Sequence, residues 1–221
     1  MRSQVMKTQL LTMTLIGTMG ASAAYADTSA SAVTDLNLRA GPGPQQNVVG
    51  VIPAEGNVNV HGCLAETSWC KVSFNGTEGW AYGDYLSASL DGEQLMIAPN
   101  RDRIEVNTVT YEDSNADDVA AGGAVGGVIG AIAGGPVGAA AGAVAGGALG
   151  GATDPGEETV VYVRENPVEP VYLEGEVVTG AQLPEAVTLN TVPQSDYRYA
   201  YVNGVPVVVD PAERRVVHIV R

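Results

Sequence analysis

Few residues in this chain have the chemistry for catalysis or metal binding: two cysteines, two histidines and scattered carboxylates. Cys63 and Cys70 flank a short polar loop, and they could pair with each other or, with His61, bind a metal ion. A structural zinc site needs four protein ligands, and His61 adds only one to the two cysteines. Antiparallel neighbours across a short loop can reach disulfide geometry, so the sequence predicts a disulfide between Cys63 and Cys70, and no metal or cofactor.

Catalytic motifs are missing from the sequence. It has no His-x-x-x-His pair, no Gly-x-Ser-x-Gly turn and no phosphate-binding loop with a lysine, so we expect a protein that is not an enzyme. The alternative is an accessory or regulatory subunit of a cell-wall hydrolase, or a weak hydrolase that uses Glu66 or Glu78. The carboxylates that precede residue 119 lack the spacing and the glycine of a calcium-binding loop, and we interpret them as helix-capping and solubilising groups. They are Glu112, Asp113, Asp117 and Asp118.

The first 26 residues are typical of a secretory signal peptide. Arg2 and Lys7 precede an apolar stretch at 10–19, and small residues follow up to Ala26, so we expect cleavage between Ala26 and Asp27. Cleavage would change the net charge from −14 to −16. Such an acidic chain is a poor partner for nucleic acid, and we expect an exported protein of the periplasm that associates with the outer or the inner membrane.

The central part of the chain, residues 119–152, repeats glycine at every fourth position. Residues four apart share one face of a helix, so the repeat would form a flat surface for close helix packing. A flexible linker is the alternative, but the residues between the glycines are mainly Ala, Val, Ile and Leu rather than Ser and charged residues. Pro136 divides the run, which predicts a helical hairpin. The run resembles the glycine-zipper segments of Gram-negative envelope proteins, which implies membrane association or self-association. The helix-packing residues are Gly122, Gly126, Gly130, Gly134, Gly138, Gly142, Gly146 and Gly150.

Residues 27–87 contain short β-prone runs separated by Gly, Pro and Asn. They predict five strands in a small barrel, with a two-residue hairpin turn at Asn75-Gly76. Four segments resemble a bacterial SH3 domain, and they lie at 35–42, 49–53, 69–72 and 79–86. The resemblance implies a small β-barrel that contacts peptidoglycan or an envelope protein and has no catalytic activity.

An aromatic groove is the candidate binding site of this module. Trp80, Tyr82 and Tyr85 would line the groove, with Asn37 and Arg39 at its edge. The alternative for Trp80 is a place in the core of the barrel, because buried aromatic residues commonly serve packing.

After the N-terminal module, residues 88–118 predict an extended and partly disordered linker. Residues 153–221 predict a small antiparallel module. Its three-stranded meander at 197–202, 205–209 and 215–220 has turns at Asn203-Gly204 and near Asp210. The segments at 160–164 and 187–191 either add strands to this sheet or cover it. Arg214 and Arg215 are expected to be solvated turn charges. Segments at 164–168, 183–185 and 197–211 resemble a domain of unknown function, number twelve-thirty-six, which is seen in exported alphaproteobacterial proteins.

Together these patterns predict a mainly β protein with an SH3-like β-barrel, a central glycine-zipper helical hairpin and a C-terminal antiparallel β module. The predicted function is that of a non-enzymatic cell-envelope protein. Its SH3-like module would contact peptidoglycan or an envelope protein, and its glycine zipper would hold it to a membrane or to copies of itself.

Overall fold

The computed structural model describes residues 27–111 and 154–221. The signal peptide at 1–26, the end of the predicted linker at 112–118 and the glycine-zipper hairpin at 119–152 lie outside the described residues. These three expectations therefore stay predictions.

The N-terminal half forms one eight-stranded sheet in the order β3-β2-β6-β5-β4-β1-β7-β8, with antiparallel pairing throughout. The predicted turn between β5 and β6 is confirmed: Asn75 and Gly76 both have positive φ angles, and Phe74 pairs with Thr77. The strands are β1 (Thr28–Ala32), β2 (Leu36–Arg39), β3 (Val48–Ile52), β4 (Asn57–Cys63), β5 (Trp69–Phe74), β6 (Thr77–Tyr82), β7 (Leu86–Leu90) and β8 (Glu93–Met96).

The sheet continues into the stretch that the sequence analysis assigned to an extended linker. Strands β7 and β8 form a hairpin whose turn, Asp91-Gly92, has positive φ at both residues. A short 3₁₀ helix, Gly83–Tyr85, precedes β7, and a second one, Ala98–Asn100, follows β8 and leads into the short helix α1 (Arg101–Ile104). The linker prediction failed here because Leu95 and Ile97 are buried and join this region to the folded domain. Asp91-Gly92 is a hairpin signal that the sequence analysis missed.

The C-terminal half contains one helix and a four-stranded antiparallel sheet in the order β12-β11-β10-β9. Helix α2 (Glu157–Glu165) is followed by β9 (Asn190–Thr191), β10 (Arg198–Val202), β11 (Val205–Asp210) and β12 (Arg215–Ile219). The predicted meander is confirmed, and Asn203 and Gly204 form its first turn with positive φ angles. The strand expected at 187–191 is reduced to the two residues of β9.

Of the two alternatives for residues 160–164, the additional strand is wrong, because these residues belong to α2. The other alternative agrees with the structure, since Val163 of this helix packs against the sheet and covers it. Glu157 and Glu158 lie in the first turn of this helix, where negative charge favours the helix dipole. Thr159 and Val163 are four residues apart and are its two buried side chains. Packing of this face against the sheet outweighs the β-preference of the valines.

The two faces of the C-terminal sheet are both covered. Val208 and Tyr199 belong to a small apolar cluster that also contains Val163 of α2. Neighbouring residues of the same strands, among them Val207 and Ala200, face the main core. Because successive side chains of a strand point to opposite faces of the sheet, the C-terminal module contributes to two separate cores.

The main core extends through both halves of the chain. One cluster of buried apolar residues contains Leu36 and Leu38 of β2, together with Leu173, Val177 and other residues of the C-terminal half. An apolar cluster shared in this way joins the two halves into one packed unit. We call this unit, residues 27–111 and 154–221, the body.

Arg214 has a structural role that the sequence analysis did not anticipate. Instead of being a solvated charge, its guanidinium donates hydrogen bonds to the carbonyl oxygens of Leu183 at 3.2 Å, Pro184 at 2.8 Å and Val187 at 2.5 Å. Arg214 therefore fixes the irregular segment that packs beneath the sheet. Among the helices of the body, none has the length and apolar character needed to cross a membrane.

Candidate functional site

The five residues predicted to form the groove lie close together, but most of them are buried. Asn37 and Arg39 are on β2, Trp80 and Tyr82 are on the neighbouring β6, and Tyr85 is in the 3₁₀ helix that follows. Only Tyr82 is partly exposed, because the other four side chains retain 5% or less of their accessible surface. The ligand role of these residues stays a prediction, and Tyr82 is the member that a ligand could reach in this conformation.

Arg39 is the centre of a buried polar cluster between the two halves of the body. Its Nη1 donates to the carbonyl oxygens of Pro44 at 3.1 Å and Gln46 at 2.6 Å. Its Nε and Nη2 donate to the two carboxylate oxygens of Glu176, and Nη2 also donates to the carbonyl oxygen of Asn203 at 3.1 Å. All five N–H groups of the guanidinium thus have an acceptor, which is what a fully buried arginine needs.

Glu176 is fully buried and accepts four hydrogen bonds. In addition to the two from Arg39, its Oε1 accepts one from Asn37 Nδ2 at 3.2 Å and one from the backbone N–H of Val177 at 3.0 Å. Gly175 places this glutamate: its φ of +92° suits glycine, and a Cβ at this position would lie 3.4 Å from the Tyr82 ring. The Arg39–Glu176 pair is therefore bidentate and fixed from both sides.

Asn203 completes this cluster from the C-terminal meander. Its Oδ1 accepts a hydrogen bond from the N–H of Leu173 at 2.8 Å, and its Nδ2 donates to the carbonyl oxygen of Gly175 at 2.9 Å. The residue holds the segment that carries Glu176 against the meander. We call Asn37, Arg39, Glu176 and Asn203 the carboxylate junction.

A second polar group surrounds Tyr82, next to the junction. The rings of Trp69 and Tyr82 meet edge to face at 5.4 Å, and those of Tyr82 and Tyr85 lie 6.0 Å apart. Burial, with the negative charge of Asp84 as a further cause, raises the pKa of Tyr82 to about 12. Burial also raises the pKa of Asp84, although hydrogen bonds from Ser68 and Tyr82 oppose this rise. Tyr82 is the partly exposed member of this group, whereas Trp69, Asp84 and Tyr85 are buried.

Trp80 is covered by the segment that leads toward the glycine run. The ring of Tyr111 meets the Trp80 ring edge to face at 5.5 Å. Upstream, the backbone N–H of Val109 donates to the Cys63 carbonyl oxygen at 3.0 Å, and the Cys63 N–H donates to the Asn107 carbonyl oxygen at 2.8 Å. Trp80 therefore belongs to a packed layer, in agreement with the alternative that the sequence left open.

The predicted disulfide is confirmed. Cys63 and Cys70 are partners on β4 and β5, and their sulfur atoms are bonded. Arg101 also fixes the loop between them, since its guanidinium donates to the carbonyl oxygens of Leu64 at 2.5 Å and Thr67 at 3.2 Å. Residue 101 lies in the stretch predicted as linker, which shows why that stretch folds with the domain.

The two glutamates considered for hydrolysis are exposed. Glu66 lies in the disulfide loop, and Glu78 on β6 forms an exposed ion pair with Lys71 at 3.1 Å. His61 Nδ1 lies 2.9 Å from a carboxylate oxygen of Asp27. Within residues 27–111 and 154–221, no group of three or more His, Cys, Asp or Glu side chains is placed to hold a metal ion.

Glu176 and Asn203 are the residues of the junction that the sequence analysis missed as site residues. Asn203 was recognised only as a turn residue, and Glu176 is one of 25 acidic residues. The signal available for Glu176 is the dipeptide Gly175-Glu176 inside an apolar stretch that ends in Val177-Val178. This signal is weak, because the neighbouring Glu174 lies in the same stretch and is exposed.

Comparison with known families agrees with the two halves of the body. Residues 34–87 match the bacterial SH3 domain family, and residues 162–221 match the family described as Domain of unknown function (DUF1236). None of the curated proteins matches the sequence of this chain. The chain therefore contains a bacterial SH3 domain and, after the glycine-rich run, a C-terminal DUF1236 domain.

Proposed function

We propose that this protein is a non-enzymatic component of the cell envelope. The body binds peptidoglycan or an envelope protein, and the glycine run at 119–152 holds the body to a membrane or to further copies of the chain. The observation that carries this proposal is the bacterial SH3 domain, a module for binding proteins or peptidoglycan, which here shares a core with the DUF1236 domain.

The position of the glycine run supports its role as an anchor. Tyr111, before the run, packs against Trp80, and the DUF1236 domain, after the run, shares the main core with the SH3 domain. The run therefore leaves the body and returns to the same body. A hairpin begins and ends at the same side and therefore suits a run that leaves the body and returns to it. A spacer that separates two distant domains is not needed here, because the two domains are in contact. Helices with glycine at every fourth position pack closely, in lipid or with one another.

The binding surface that we propose is centred on Tyr82. Asn37 and Arg39 are already engaged by Glu176, and Trp80 is covered by Tyr111. The exposed part of Tyr82 lies beside Asp84, with Glu174 of the DUF1236 domain close enough to affect its ionisation. The partly exposed Tyr82 of one domain and the exposed Glu174 of the other thus form one acidic and aromatic surface, which suits an amine-bearing ligand such as a peptide with a free amino group.

Sedimentation with purified sacculi tests the binding half of the proposal. The intact protein is mixed with sacculi beside two variants, Tyr82→Ala and the control Tyr172→Ala, which alters a partly buried tyrosine of the DUF1236 domain. We expect the intact protein and the control to sediment, and Tyr82→Ala to remain largely in the supernatant. If the intact protein does not sediment, peptidoglycan is not the ligand, and crosslinking to envelope proteins then tests the other partner class.

A further inference from the structure

Hydrogen bonds within the SH3 domain brace its half of the carboxylate junction. Arg39 is fixed by two carbonyl oxygens of its own domain, those of Pro44 and Gln46, which occupy both N–H groups of Nη1. The three remaining N–H groups point to the DUF1236 domain. Asn37, two residues earlier on the same strand, directs its amide N–H at the same carboxylate. The SH3 domain alone therefore supplies the positioned donors of a carboxylate-binding site.

The DUF1236 domain supplies the matching acceptor from a single short segment. Glu176 follows a glycine with positive φ and has its own backbone support, the N–H of Val177. The backbone carbonyl oxygen of Asn203 accepts a hydrogen bond from Arg39. The Asn203 side chain bonds to the backbone of Leu173 and Gly175 and so holds the segment that carries Glu176. Both sides of the contact are thus braced by hydrogen bonds within their own domain.

The surroundings of the junction resemble the centre of a protein–protein interface. The Arg39 and Glu176 side chains retain 1% and 0% of their accessible surface, and buried apolar residues of both domains surround them in one cluster. A buried arginine inside a ring of apolar contacts that excludes water is the usual form of a binding hot spot. The contact between the two domains therefore has the features of an interface between two protein partners.

We propose that Asn37 and Arg39 make the SH3 domain a receptor for the DUF1236 domain, with the Glu176 carboxylate as the recognised group. The two domains bind each other as separable partners, and the covalent connection through the glycine run is not needed to hold them together. This proposal is independent of the surface around Tyr82 and of any membrane role of the run.

Cleavage of the connection tests this directly. A protease site is inserted between Asn115 and Ala116 of the full chain, an affinity tag is placed at the N-terminus of the mature protein, and the folded protein is cut. We expect the C-terminal fragment to stay with the tagged fragment through purification and to elute with it as one species. Separation of the wild-type fragments after cleavage would overturn the proposal.

Two variants test the role of the carboxylate. In Glu176→Ala, the cut fragments should dissociate at least about thirtyfold faster than in the wild type, which corresponds to about 2 kcal/mol. The matched control is Glu169→Ala, which removes an exposed glutamate of the same domain and should behave as the wild type. Equal dissociation rates for Glu176→Ala and the wild type would show that the carboxylate is not the recognised group.

Chemical rescue keeps the proposal testable if Glu176→Ala does not fold well enough to be cut. The substitution removes the atoms of an acetate ion, so acetate should occupy the vacated site. We expect the melting temperature of Glu176→Ala to rise with acetate concentration relative to chloride at equal ionic strength. The double variant Arg39→Met/Glu176→Ala should show no such rise. Absence of an acetate effect in Glu176→Ala would contradict a carboxylate receptor at Arg39.

Discussion

Replacement of Arg39 by methionine should destabilise the body severely. The side chain makes five hydrogen bonds, and its loss leaves the fully buried carboxylate of Glu176 without its counter-charge. Removal of one partner of a buried ion pair costs about 3 to 5 kcal/mol. The individual hydrogen bonds are contained in this figure rather than added to it, because they share the same two charged groups.

Replacement of both partners separates the cost of an orphaned charge from the worth of the pair. A buried ion pair is often replaced by apolar residues of similar volume at little net cost. The double variant Arg39→Met/Glu176→Leu should therefore recover much of the stability lost in Arg39→Met. It should not recover all of it, because the carbonyl oxygens of Pro44 and Gln46 lose their donors.

The assay is urea unfolding of the purified protein, followed by tryptophan fluorescence. Trp69 and Trp80 are both buried in the SH3 domain, whereas Glu176 belongs to the DUF1236 domain. Since the domains share a core, a single transition should report the stability of both. The control is Arg103→Met, which removes an exposed ion pair with Glu93 and should cost at most about 1 kcal/mol. A loss below about 1 kcal/mol in Arg39→Met would refute the reasoning.

Three further outcomes follow from the body. Gly175→Ala should cost about 1 kcal/mol in the same unfolding assay, because its φ of +92° disfavours a side chain; an unchanged midpoint would contradict this. Replacement of Cys63 and Cys70 by serine should cost about 2 to 3 kcal/mol, since the disulfide closes a short loop, and reductant should lower the midpoint of the wild type but not of the variant. The raised pKa of Asp84 means that the folded state holds this proton more tightly than the unfolded state does, so the group contributes stability at low pH that is lost as the pH rises from the usual aspartate pKa through the raised value. Asp84→Asn should therefore flatten that part of the curve of stability against pH. Parallel curves for the two proteins would argue against a buried carboxylate.

Local signals explain how much of the fold the sequence could predict. The strands of the SH3 domain and the C-terminal meander are bounded by turn residues, and both Asn-Gly turns adopt the positive φ angles that such dipeptides favour. The disulfide was predictable for a similar reason, because Cys63 and Cys70 are separated by only a short loop. In these cases the interaction that decides the structure lies within about ten residues of the signal.

The errors arise where distant packing decides the structure. Residues 160–164 are rich in valine, which left a strand open beside a segment that covers the sheet, and Val163 packs against the C-terminal sheet as part of α2. Residues 88–104 were assigned to a linker because their alternation is weak, although Leu95 and Ile97 are buried. Neither contact can be seen from neighbouring residues alone.

The carboxylate junction shows the same limit at the candidate site. Arg39 was predicted to lie at the edge of a groove, where a ligand would meet it. Its partner, Glu176, is 137 residues away in the sequence. Sequence patterns identified both domains, but only the structure shows that Glu176 of the DUF1236 domain binds the guanidinium of Arg39 in the SH3 domain.

The division between a binding body and an anchoring glycine run is tested most directly by fractionation of cells that carry either the intact protein or a variant lacking residues 119–152. Membranes from both are washed with alkaline carbonate, and both fractions are examined by immunoblot, with crosslinking to record self-association. We predict that the intact protein resists the wash or crosslinks to itself, and that the shortened protein does neither. Soluble, uncrosslinked behaviour of both forms would contradict the account.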